Sequence, residues 1–101
     1  MSVEARFNAD MIQIYQRAKK ECKYNAMRFL QMLSERGGLE TAHTLVATEG
    51  GTDGFIKLWE CGRLDLSVEA LVLQEEYRSL FTEDEREMCR KRLERYGYQA
   101  R

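Results

Sequence analysis

Thr82-Glu83-Asp84-Glu85-Arg86-Glu87-Met88-Cys89-Arg90-Lys91-Arg92-Leu93-Glu94-Arg95 is the stretch that decides the fold class. Thr82 and Glu85 have the spacing of a capping box, in which each side chain satisfies the other residue's backbone N–H. Glu83, Asp84, Glu85 and Glu87 crowd the first turns, and Arg90, Lys91, Arg92 and Arg95 the last. That order complements the helix dipole. The pattern predicts a helix over about 83–95 that buries Met88, Cys89, Leu93 and Tyr96.

The preceding segments repeat the helical period. Ser67 is a good N-cap, and Leu66 with Leu71 have the spacing of a hydrophobic staple. Val68 to Leu73 is apolar on almost every side, as in a central, well-covered helix. Tyr77, Leu80 and Phe81 continue the spacing, which leaves open whether one helix or two is present. Phe55, Leu58 and Trp59 mark a shorter helix with Gly62 at its C-terminal end. Leu39, Ala42, Leu45 and Val46 form another inward stripe. Ala26, Phe29, Leu30 and Leu33 form one before it, with Asn25 as the expected N-cap and Gly37-Gly38 as the stop. The first helix carries Val3, Phe7, Met11, Ile14, Tyr15, Ala18 and Cys22, with residues 1–8 expected to fray.

The 101 residues include no proline and show no alternating strand pattern. The expectation is all-α: a compact single domain over residues 1–101, a bundle of five or six short helices. Phe55, Trp59, Tyr77 and Phe81 are expected to dominate the core. Trp59→Ala would then cost about 3–5 kcal/mol.

Charge excludes some partners. With 16 Lys and Arg against 17 Asp and Glu, the chain lacks the basic excess of a dedicated nucleic-acid binder. It also lacks the acidic excess of a DNA mimic. Cys22, Cys61 and Cys89 are odd in number and widely spaced, which reads as free, buried thiols in a reducing cytoplasm. The longest unbroken apolar run, Ala70 to Leu73, is far too short to span a membrane. Met1-Ser2-Val3-Glu4 does not open a signal peptide.

Few residues offer chemistry. His43 is the single histidine, so a two-histidine metal site is excluded. Glu40, three residues earlier, is its expected neighbour. A Cys–His nucleophile is conceivable with any of the three cysteines, but a boundary histidine and inert thiols are favoured. Gly50 to Gly54 precedes a helix yet lacks the Gly-Lys-Ser/Thr of a phosphate loop, so it reads as a connector. The two helices around Gly37-Gly38 resemble a helix-turn-helix, but the second carries no cation to meet phosphate. Arg63 and Asp65 sit among apolar residues after Trp59, and a structural joint or a partner contact is expected there. Lys19, Lys20, Lys23 and Arg28, with Arg90, Lys91, Arg92 and Arg95, would form one positive face if the helix ends met. No catalytic set, metal site or cofactor is expected.

A resemblance rests on longer text. Ala18-Lys19-Lys20-Glu21-Cys22, Arg28-Phe29-Leu30, Gly37-Gly38, Gly54-Phe55, Leu58-Trp59-Glu60, Gly62 through Glu69, and Leu80-Phe81-Thr82-Glu83 resemble a family of small bacterial all-α proteins and appended domains without assigned activity. The resemblance runs from Ala18 to Tyr96. It implies a compact helical domain from bacteria or their phages, loosely linked to restriction or other phage defence, and brings no catalytic residues.

The function expected first is a non-enzymatic helical module that binds a protein or a second copy of itself, with Met27, Met32 and Tyr98 off the inward stripes. The alternative is an accessory nucleic-acid-binding domain using the basic helix ends.

Overall fold

The structure, a computed structural model, describes residues 2–48 and 52–99. α1 (Val3–Glu21) starts from Ser2, whose hydroxyl accepts the Ala5 N–H. The first turn, expected to fray, is anchored by Phe7. This ring is fully buried, edge-on to Tyr77 and Phe81 at 5.0 and 5.4 Å. Met11, Tyr15 and Ala18 continue the inner stripe. At the far end Lys23 takes a left-handed conformation (φ +55°), which lets the Tyr24 N–H return to the Ala18 carbonyl.

α2 (Met27–Ala47) is not capped by Asn25. The Asn25 side-chain oxygen instead accepts the Tyr15 hydroxyl at 2.9 Å and ties the connecting turn to α1. Gly37 kinks α2 at φ 82°, ψ 168°, a region essentially closed to other residues. Two helical halves therefore flank Gly37-Gly38 as expected, joined by a kink rather than a loop. Gly38 is small for a different reason: a Cβ there would collide with Asn8. Asn8 uses that closeness to accept the Leu39 N–H at 3.2 Å.

α3 (Asp53–Glu60) is capped by Thr52, which accepts the Phe55 N–H. Gly50 and Gly51 of the expected connector lie outside the described residues. Gly62, at φ +74°, ends the helix as its position predicts, with the Arg63 N–H returning to the Leu58 carbonyl. A short 3-10 turn (Leu64–Leu66) leads to α4 (Val68–Val72), capped by Ser67. The chain then tightens into a 3-10 run (Glu75–Leu80), so residues 68–81 form two elements. α5 (Glu83–Arg95) starts from the complete Thr82–Glu85 box.

Every regular element among the described residues is helical, and the fold is all-α. α1 lies along α2, while α2 and α5 both pack on α4. One contiguous core results, with a radius of gyration of 12.3 Å. Among the described residues no helix is long and apolar enough to cross a membrane.

Four further expectations are corrected. Trp59 is not in the core: it is 46% exposed, with its ring against the edge of Tyr96 at 5.3 Å. The short α3 points Phe55 and Leu58 inward, and Trp59 lies one step further round the helix. Met88 is exposed, and α5 buries Arg86 and Arg92 beside Cys89 and Leu93 instead. Tyr98 packs against the core rather than standing free for a partner. Finally, Cys22 and Cys61 are not free thiols. They follow the ends of α1 and α3, which meet, and form a disulfide with Cα atoms 6.0 Å apart. Cys89 alone keeps a free, buried thiol.

Candidate functional site

The inner side of α1, the turn that follows it, the start of α2 and the N-terminal half of α3 do not close on one another. They leave a cleft of about 570 Å³. Ile14, Tyr24, Phe29, Met32, Leu45 and Phe55 give it an apolar lining. Met27, 59% exposed, stands at its mouth with Arg28. The size is that of a small-ligand pocket, or of a slot for a few side chains. Tyr24 shapes one wall: its hydroxyl would lie 3.4 Å from a Cβ placed on Gly54, so α3 approaches the turn closely there.

Glu69 and Ser67 of the α4 start line the deep side. Glu69 is almost fully buried, and burial pushes its carboxyl above the usual range while its bond from Arg92 pulls it back. Arg92 Nη1 donates to Glu69 Oε2 at 2.7 Å. Its Nη2 donates to the carbonyls of Val46 at 3.1 Å and Thr48 at 2.8 Å. This one guanidinium therefore joins α5, α4 and the end of α2. That corrects its expected place in a basic surface: its donors are used inside.

Arg63 and Asp65 are bonded to each other. The guanidinium forks onto Asp65 at 3.0 and 3.1 Å and also bonds Glu21. Glu21 takes a second bond from Arg17 at 2.8 Å. Hydrogen bonds from Arg17 and Arg63 hold the Glu21 carboxyl down to about 2. The ion cluster lies where α1 and α3 end, beside the disulfide.

The groups considered for catalysis are occupied elsewhere. His43 does not meet Glu40; its Nδ1 lies 2.5 Å from Glu85 Oε2, and its ring is 4.9 Å from that of Phe81. Burial works against the Glu85 carboxylate, but bonds from the Thr82 N–H and from His43 outweigh it and hold the carboxyl low. Burial pushes the Cys89 thiol up to about 12, so it stays protonated at neutral pH. Among the described residues no group of three or more His, Cys, Asp and Glu side chains is placed to hold a metal ion.

Of the basic residues, Lys19, Lys20, Lys23, Arg28, Lys91 and Arg95 are exposed and make no ion pair with a described residue. Arg90 is paired with Glu87. α1 takes α2 as its main packing partner and α5 takes α4. The sequence reading missed the cleft itself and Glu69 within it. Its trace was Met27 and Met32, two large apolar side chains off the inward stripe. The chain matches no family model, no curated protein and no solved structure.

Proposed function

We propose that this chain is a non-enzymatic helical protein–protein interaction module of a bacterial or phage cytoplasmic protein, with the cleft receiving an apolar segment of a protein partner. The observation that carries the reading is the cleft of about 570 Å³ with Met27 at its mouth and Met32 in its lining. Methionine is flexible and polarizable, and it suits surfaces that must adapt to another chain. The volume fits the few anchor side chains that an amphipathic helix lays into a groove. His43, bonded to Glu85, and the protonated Cys89 thiol are consistent with a role other than turnover. The bacterial or phage setting rests on the resemblance over residues 18–96.

The alternative, an accessory nucleic-acid-binding domain in a restriction or phage-defence setting, is supported by the six exposed cations named above. One experiment separates the readings. A photo-crosslinking residue is placed at position 32, and the chain is recovered from its native cell with and without nuclease treatment. A crosslinked protein that survives nuclease and disappears with Met27→Glu supports the proposal. Crosslinks between copies of the chain, abolished by the same substitution, assign the cleft to a homo-oligomer. Loss of all recovered material on nuclease treatment favours the nucleic-acid reading, and a clean monomer without crosslinks overturns the cleft as a docking site.

A further inference from the structure

The Cys22–Cys61 disulfide joins two walls of the cleft at one end. Cys22 follows α1 and closes its last turn, its N–H donating to the Ala18 carbonyl; Ala18 lines the cleft. Cys61 follows α3, whose Phe55 and Leu58 line the opposite wall. α3 finds its main packing partner in the 3-10 turn Leu64–Leu66, not in α1 or α2. Its other attachments include the inward Phe55 and Leu58, Ile56 against the core, Gly54 close to Tyr24, contacts of Phe55 and Trp59 with Tyr96, and the bridge. The bridge is thus the covalent tie of a lightly packed wall.

The two bridged cysteines are less buried than Cys89. Cys61 is exposed and Cys22 half-buried, whereas Cys89 is fully buried and holds its proton. Thiol–disulfide exchange needs access and a thiolate, so the chemistry is confined to this pair. The ion bond from Arg63 to Glu21 runs alongside, two residues beyond Cys61 and one before Cys22. It joins the same two helix ends as the bridge does.

We propose that Cys22 and Cys61 form a reversible redox latch that sets the freedom of α3 and thereby the binding state of the cleft. A dithiol reductant supplies two electrons and two protons. The S–S bond breaks, two S–H bonds form, and the reductant leaves as its own disulfide. A low-molecular-weight disulfide reverses the step, taking the two electrons and releasing two thiols. The latch rests on the cleft reading only for its functional consequence. The loosening of α3 stands by itself.

The test compares the air-oxidised chain, the same chain in dithiothreitol, and a Cys22→Ser, Cys61→Ser variant. The denatured oxidised chain is expected to show one reactive thiol and the reduced chain three. Amide hydrogen exchange over residues 53–60 is expected to accelerate at least tenfold on reduction and to recover on reoxidation, with residues 83–95 unchanged. The Kd of 8-anilinonaphthalene-1-sulfonate is expected to change at least threefold. Three reactive thiols in the air-exposed chain, or equal exchange over 53–60 in both states, overturns the latch. If the serine variant does not fold, the reversible reduction of the parent carries the same readouts. The Met27→Glu, Met32→Glu chain distinguishes the two readings: dye binding like that of the parent removes the cleft as the binding site, and the exchange result then decides the latch alone.

Discussion

Phe55 and Trp59 lie four residues apart on the same short helix, yet their surroundings differ. Phe55 is buried edge-on against Tyr96 at 5.1 Å, while Trp59 meets the same ring at 5.3 Å and stays half-exposed. Urea denaturation should therefore rank them opposite to their size. Phe55→Ala is expected to cost about 3–5 kcal/mol and Trp59→Ala about 1 kcal/mol, because removing a half-exposed ring leaves no closed cavity. Equal losses would mean that Trp59 is an anchor of the core after all. At this scale the sequence was readable where a residue answers to its own neighbours along the chain. Ser67, Thr82 and Gly62 act as their positions predicted. It was opaque where the partner is remote: Arg92 is turned inward by Glu69, 23 residues away, and His43 meets Glu85, 42 residues away.

Among the elements, the two halves of α2 depend on adjacent glycines with different duties. Gly37 provides a backbone angle, and Gly38 provides room for Asn8. Gly38→Ala must push α1 away from α2 and is expected to cost about 1–3 kcal/mol, the range for overpacking. In a double-mutant cycle with Asn8→Ala the losses should fall short of their sum, because the truncated side chain vacates part of the contested space. Additive losses would place the strain in the backbone instead. The Gly37-Gly38 break was legible because glycine pairs interrupt helical spacing. The angle between α1 and α2, and so the cleft, was not, since it is set by which side chains interlock across helices distant in sequence. The 3-10 run at Glu75–Leu80 escaped for a related reason: its apolar spacing is close enough to that of an α-helix to pass for one.

For the molecule as a whole, acid acts through carboxylates held below their usual range. Glu21 titrates at about 2 in the folded chain against 4.5 ordinarily, and Glu85 is shifted in the same direction. Below about pH 4.5 the unfolded chain takes up these protons first, so the folded state loses ground as the pH drops towards 2. Glu69, shifted upward by burial, works the other way: its protonation favours the folded chain as the pH falls through its folded value. Urea midpoints measured from pH 7 to pH 3 are expected to decline, and Glu21→Gln should flatten the decline. An unchanged slope in that variant would assign the acid sensitivity to other groups.

The bridge between Cys22 and Cys61 also changes the topology of the polymer. Closed, it makes a ring from 39 residues of separation, with α2 and α3 inside it. A machine that pulls the chain by its C-terminus meets a lasso rather than a thread. At about 3.3–3.6 Å per residue, roughly 130 Å of contour is withheld from extension. A pore that admits a single strand must then admit two abreast or stall at residue 61, so the thiol state of this small domain sets how readily it can be threaded and destroyed.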